Sequence, residues 1–220
     1  AGAAAQTIAS LNVADEETLT INSGSTVAGS NAITAIVGTD LTSLTIAGNR
    51  DLTIGSISGT KLATLDASGL SGTGTVLNVS ATNSTADMTV TGAAGVESTD
   101  GEVMNLITTG SGDDSITTGD YADTIIAGNG DNTVVAGDGD NRVTVGKDDN
   151  TITVGDGDNV IIAGNGDNTI TVGGIATSVN SITVGNGDNT ITSGAGVDTV
   201  TLGTGDDTVD TGAGADKIYM

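Results

Sequence analysis

Gly137-Asp138-Gly139-Asp140-Asn141-Arg142-Val143-Thr144-Val145 runs directly into Gly146-Lys147-Asp148-Asp149-Asn150-Thr151-Ile152-Thr153-Val154, and these two units decide the fold. Each reads as a turn followed by a short strand. In Gly137-Asp138-Gly139-Asp140-Asn141, Gly is free to take φ > 0 and the Asx side chains can bond their own backbone, so the chain turns. In Thr151-Ile152-Thr153-Val154, β-branched residues favour an extended strand, and alternation turns Ile152 inward and Thr151 and Thr153 outward.

The pattern extends in both directions from this pair. Gly recurs every nine residues at 110, 119, 128, 137, 146, 155, 164 and 173, and again at 185, 194, 203 and 212. The step from Gly173 to Gly185 is twelve residues, one repeat with three extra residues within Gly174-Ile175-Ala176-Thr177-Ser178. Six residues after each Gly stands an aliphatic residue: Ile116, Ile125, Val134, Val143, Ile152, Ile161, Ile170, Ile191, Val200, Val209 and Ile218, with Ile182 filling the place in the long repeat. Two residues before it there is always Asp or Asn. A strand this short buries nothing alone. Two repeats therefore form one flattened coil with a strand on each side, and coils stack at ~4.8 Å by parallel pairing. Twelve repeats make six coils, about 29 Å of solenoid at that spacing, with inward Ile and Val rows as a thin core. The expected fold is all-β, a right-handed parallel β-helix or β-roll.

The composition agrees. The 220 residues include 35 Gly but no Cys, His, Pro, Trp or Phe and only two Tyr, so the apolar share is mostly Ala, Val, Ile and Leu. Small branched residues suit thin cores between stacked strands. Twenty-eight acids against 5 bases give a charge of −23. That disfavours nucleic acid and anionic membranes as partners and favours cations. Disulfides and thiolate metal sites are excluded. No apolar run approaches the roughly 18 residues of a membrane span, and no basic, apolar leader opens the chain. Its start, Ala1-Gly2-Ala3 without an initiator Met, suggests a fragment. Catalysis finds no support: His and Cys are missing, and the paired Asp at 113/114, 148/149 and 206/207 sit in repeating turns. The chain is expected not to be an enzyme.

The turns carry the chemistry. When coils stack, alternate repeats share an edge. On the first edge Asp113, Asp131, Asp149, Asp167, Asp188 and Asp206 form an unbroken column, next to Asp114, Asn132, Asn150, Asn168, Asn189 and Asp207. On the second, Asp123, Asn141, Asn159, Asn180, Asp198 and Asp216 align, with Asp140 and Asp158 beside them. Carboxylates ~5 Å apart repel by about 1 kcal/mol in water and by several at lower dielectric. Divalent cations between coils reverse the sign. Calcium fits, because it takes six to eight oxygen ligands from carboxylates, amides and carbonyls, whereas zinc prefers the absent His and Cys. Asn offers calcium an uncharged oxygen, or stacks as a metal-free amide ladder. All of these Asp and Asn residues except Asn180 are candidate calcium ligands, and several ions are expected.

The segment from Gly110 to Met220 resembles the RTX array, Gly-Gly-x-Gly-x-Asp-x-U-x with U aliphatic. Gly196-Val197-Asp198-Thr199-Val200 and Gly205-Asp206-Asp207-Thr208-Val209 match its core closely. The resemblance implies a parallel β-roll with calcium in the turns, type I secretion from a Gram-negative cell, and folding outside, where calcium is plentiful. Two departures stand out. The motif's Asp is kept at Asp114, Asp123, Asp198, Asp207 and Asp216 but is Asn in the seven repeats from Asn132 to Asn189. The motif's first Gly is replaced throughout, as by Val145, Val154 and Ala163. Calcium is most secure where Asp persists, above all between Asp198 and Asp216.

Residues 1–103 lack the nonapeptide but keep the texture of strand and turn, and read as an irregular parallel β-helix continuous with the regular roll of residues 104–220. Leu41-x-x-Leu44-x-Ile46, Asn49-x-x-Leu52-x-Ile54 and Leu62-x-x-Leu65 mark its coils, and it holds ten acids against eighteen in the second part. Leu41-Thr42-Ser43-Leu44-Thr45-Ile46-Ala47-Gly48-Asn49 and Leu65-Asp66-Ala67-Ser68-Gly69-Leu70-Ser71-Gly72 are similar to RTX surface-layer proteins of Caulobacter type. Such proteins form a calcium-dependent crystalline coat, usually tied to lipopolysaccharide by a separate N-terminal domain, and no such anchor is visible here. The implied role is a self-associating building block of a surface layer or extracellular filament. The alternatives are the stalk of an RTX adhesin, or the secretion and folding domain of a larger RTX hydrolase. Outward Thr pairs such as Thr169 and Thr171 reflect strand propensity.

Overall fold

A computed structural model describes residues 5–24, 29–72, 75–93 and 105–220. The chain is all-β and forms a parallel β-solenoid. One sheet has eleven strands, from Thr7–Ile8 to Lys217–Tyr219, and the other has ten, from Thr18–Ser23 to Thr208–Asp210. Successive strands alternate between the two sheets, and every paired strand is parallel to its neighbours. Two short two-stranded sheets, Leu11–Asn12 with Ile36–Val37 and Ala195–Gly196 with Ala213–Gly214, lie at the coil edges.

Register follows the repeat. Thr133 pairs with Thr151 and Thr151 with Thr169, each 18 residues on, and the inserted residues lengthen the next step, Thr169 to Thr190, to 21. The two nonapeptides per coil therefore superpose directly. Coils in the first part are longer: Ser43 pairs with Thr64 after 21 residues, Thr64 with Thr89 after 25, and Leu77 with Asn105 after 28. Strands Leu77–Ser80 and Asn105–Thr108 pair directly, so the sheet passes from one part to the next. The boundary at 103/104 itself lies outside the described residues.

The core follows coil length. Longer coils enclose larger residues, and Leu41, Leu44, Leu52, Leu62, Leu65, Leu70, Leu77 and Met88 are fully buried. In the 18-residue coils the core is two narrow rows. The aliphatic row from Ile116 to Val200 is at most 1% exposed. The second row is the position of the missing first Gly, where Ala127, Ala136, Val145, Val154, Ala163, Val172 and Val184 are buried. These residues are buried apolar area, which explains the departure from Gly. On the last strands cover is lost: Val209 is partly buried and Ile218 is 46% exposed. Thr151 and Thr153, like Thr169 and Thr171, face out.

Candidate calcium-binding turns

Each turn must place its strand over the one below, and Asx side chains make that link through two kinds of ladder. The exposed kind reaches toward the following coil. Asp113, Asp131, Asp149, Asp167 and Asp188 each accept, at Oδ1, the backbone N–H of the Asp one coil later, at 2.8, 2.9, 2.7, 2.7 and 2.8 Å, ending on Asp206. On the other edge Asp140 accepts from Asp158 and Asp158 from Val179, both at 2.8 Å. These side chains are solvent-exposed. The acidic column seen in the sequence thus points outward, and each carboxylate caps an N–H that the strand ladder leaves free.

The buried kind reaches back toward the preceding coil. On the first edge Oδ1 of Asp114, Asn132, Asn150, Asn168, Asn189 and Asp207 accepts the N–H of the residue one coil earlier, from Met88 through Asn189, at 2.9–3.2 Å. On the second edge Asp123, Asn141, Asn159 and Asn180 do the same at 2.9–3.1 Å. Asp198 accepts Asn180 Nδ2 at 2.9 Å, and Asp216 accepts the Asp198 N–H at 3.0 Å. Asp114, Asp123, Asp198 and all seven Asn are at most 1% exposed. Two opposed ladders per edge fix the coil spacing from both sides and satisfy buried N–H groups.

What differs between repeats is the second branch of the side chain. In six of the seven Asn repeats it is Nδ2, which donates to carbonyls of its own turn, whereas Asn180 Nδ2 donates to Asp198 Oδ1 of the next coil. Asn132 donates to Gly128 and Gly130 at 3.2 and 2.9 Å, and Asn141 to Gly137 and Gly139 at 2.9 and 3.0 Å. Asn159, Asn168 and Asn189 repeat the two contacts, and Asn150 donates to the Asp148 carbonyl at 2.8 Å.

In the Asp repeats the second branch is a carboxylate oxygen. Oδ2 of Asp114 and of Asp123 is buried with no hydrogen-bond partner, and so are Thr109 Oγ1 and Thr118 Oγ1. Burial pushes the Asp123 carboxyl up to about 6 and raises that of Asp114 as well. Thr118 and Asn105 pull Asp123 down, and Thr109 and the Met88 N–H do so for Asp114. Both hydroxyls lie beside the carboxylates without completing a bond. In Asp198 the corresponding hydroxyl, Ser193 Oγ, donates to Oδ2.

A buried carboxylate oxygen with no donor is costly. Its Oδ1 makes the same backward bond as in the Asn repeats, so Oδ2 takes the Nδ2 branch, toward turn carbonyls. An all-oxygen donor set of carboxylate, hydroxyl and carbonyls fits a hard cation and suits calcium better than zinc. Asp114 with Thr109 and the carbonyls of Gly110 and Gly112, and Asp123 with Thr118 and those of Gly119 and Tyr121, are the residues that would hold it. Asp207 and Asp216 hold the corresponding positions in the last coil. Among the described residues, no cluster of three or more Asp or Glu forms a metal site by itself, so turn oxygens have to complete any shell.

Some ladder members were not visible as such in the sequence. Asn105 extends the second buried ladder one coil earlier, accepting the Ala93 N–H at 2.7 Å and donating to Asp123 at 2.8 Å. The signal was there: Asn105 stands two residues before buried Ile107, the spacing of every other ladder Asx. Asp87 starts the first exposed ladder by accepting the Asp113 N–H at 2.9 Å. Asp120, Asp138 and Asp156 form a further exposed column, each accepting an N–H one coil on at 2.8–3.3 Å.

Residues 108–143, 144–174 and 183–218 match the RTX calcium-binding nonapeptide repeat. The gap in the match falls on the segment carrying the three-residue insertion. The array is therefore of the RTX type, and calcium is the ion that such repeats bind. Neither a curated protein nor a solved structure matches the chain.

Proposed function

We propose that the chain is a non-catalytic structural protein of the bacterial cell exterior, a calcium-stabilised building block of a surface layer or extracellular filament. The observation that carries this reading is the pair of orphaned, buried carboxylate oxygens at Asp114 and Asp123, set in a rod of two continuous sheets. A cation there converts a folding penalty into a staple between coils. Calcium is scarce inside cells and abundant outside, so the ion ties folding to export, in keeping with RTX repeats and with type I secretion from a Gram-negative cell. The resemblance of the first part to Caulobacter-type coats favours a surface layer, held to lipopolysaccharide through a region outside this chain.

Electron microscopy of the purified chain in millimolar calcium tests the role. Ordered sheets or fibres that dissolve on chelation are expected. Dispersed single rods at every calcium concentration would refute self-assembly and favour an adhesin stalk.

A further inference from the structure

We propose that six central Asn repeats, those of Asn132, Asn141, Asn150, Asn159, Asn168 and Asn189, bind no calcium, because the Asn side-chain nitrogen occupies the place that the cation takes in the Asp repeats. This rests on the calcium reading above and deepens it: metal is confined to the two ends of the array, at Asp114 and Asp123 and at Asp198, Asp207 and Asp216.

The first argument is the hydrogen bonding. Nδ2 of Asn132, Asn141, Asn159, Asn168 and Asn189 donates to the carbonyls four and two residues earlier, at 2.9–3.5 Å. Those carbonyls are the turn oxygens a cation would need. An amide N–H2 presents positive hydrogens to them and so does the cation's work without a metal. Oδ1 is also engaged: Asn168 Oδ1 accepts both the N–H and Nδ2 of Asn150, at 3.2 and 3.1 Å. Placing calcium there would require desolvation against a donor, with no charge to compensate.

A second, independent argument is the residue five positions before the ladder Asx. It is Thr109, Thr118, Ser193 and Thr211 before Asp114, Asp123, Asp198 and Asp216, with Leu202 before Asp207 as the exception. Before Asn132, Asn141, Asn150, Asn159, Asn168 and Asn189 it is Ala127, Ala136, Val145, Val154, Ala163 and Val184. Leu202 apart, a hydroxyl appears where the second branch is an oxygen, and a buried apolar group stands before each of these six amides. Those apolar groups are at most 4% exposed, so the wall of an Asn turn is dry and supplies no further oxygen ligand.

The consequence is a solenoid whose middle holds its shape without metal and whose ends respond to calcium. Calcium titration calorimetry on the full chain, freed of metal beforehand, tests this by counting ions. Asn141→Asp combined with Ala136→Thr should add one bound ion. Asp123→Asn combined with Thr118→Ala should remove one and leave the β circular dichroism intact. Hydrogen exchange of the wild-type chain in excess chelator should keep Thr133–Ala136, Thr151–Val154 and Thr169–Val172 protected while strands at the array ends exchange. An unchanged ion count in both variants, or central strands that exchange as fast as the ends, would overturn the inference while leaving calcium binding in place. A wild-type chain that binds no calcium at all would defeat the calcium reading itself.

Discussion

Asn168→Ala should be among the most damaging single substitutions in the array, although it removes no apolar area. Asn168 is fully buried and makes five side-chain hydrogen bonds. Oδ1 accepts from the N–H and Nδ2 of Asn150, and Nδ2 donates to Gly164, Gly166 and Asn189 Oδ1 at 3.2, 2.9 and 3.0 Å. A net hydrogen bond contributes about 1 kcal/mol, and a buried group left unpaired costs roughly 1–3. Truncation leaves the Asn150 backbone N–H without its acceptor and two turn carbonyls without a donor, so the loss should be about 3–5 kcal/mol. That is a large fraction of the ~5–15 kcal/mol that holds a domain together. Its neighbour supplies the control. Asp167 is exposed and accepts one N–H, from Asp188 at 2.7 Å. Water can replace it, so Asp167→Ala should cost about 1 kcal/mol or less. Urea unfolding of both variants, in calcium and in chelator, reads the difference. Equal losses, within about 1 kcal/mol, would refute the claim that the inner ladder, and not the outer one, fastens the coils. Asn168→Asp adds a sign test. It keeps the Oδ1 acceptor but turns an oxygen toward the Gly164 and Gly166 carbonyls, so it should destabilise in chelator and recover in calcium by the binding energy gained.

Other expectations follow from the same geometry. Asp198→Ala with Asp216→Ala should weaken calcium binding far more than Asn150→Ala, read by titration calorimetry, and equal effects would make the Asp/Asn distinction irrelevant. Metal-free protein should gain stability as pH falls from about 7 to 5. Burial raises the folded Asp123 carboxyl from 3.8 to about 6, so its penalty is absent below the lower value, grows as pH rises between them and is complete above the upper. The full penalty is roughly 3 kcal/mol. Denaturant midpoints in chelator at the two pH values check this, and Asp123→Asn should flatten the profile. In a thermal melt Gly128→Ala should cost about 3 kcal/mol or prevent folding, because its Cβ would run into the Gly110 carbonyl of the coil before. Gly119→Ala, whose nearest neighbour is the Ala93 carbonyl at 4.0 Å, should be tolerated in the same thermal melt.

The strand positions and the core row were legible because a nine-residue period leaves little freedom: once Ile152 faces in, the fixed spacing forces every equivalent residue from Ile116 to Val200 to do the same. Side-chain direction within the turns was not legible, because Asp149 and Asn150 are neighbours of similar size and polarity, and only the backbone decides which is swallowed. The turn places the residue two before the aliphatic on the core side, where Asn150 is 1% exposed, and leaves Asp149 in water. The replacement of the motif's first Gly has its reason in the core, where Val145 and Val154 are 3% and 2% exposed. The same substitution that builds this inner row also removes the hydroxyl beside the ladder, so packing and metal use are coupled through one position. A coil can fill that place with a methyl group and close its turn with an amide, or keep a hydroxyl and a carboxylate and depend on an ion. On the calcium reading proposed above, these two solutions account for a chain of charge −23 that keeps Asp in its buried ladder at the ends of the array and Asn in the middle, while the exposed column from Asp113 to Asp206 stays Asp.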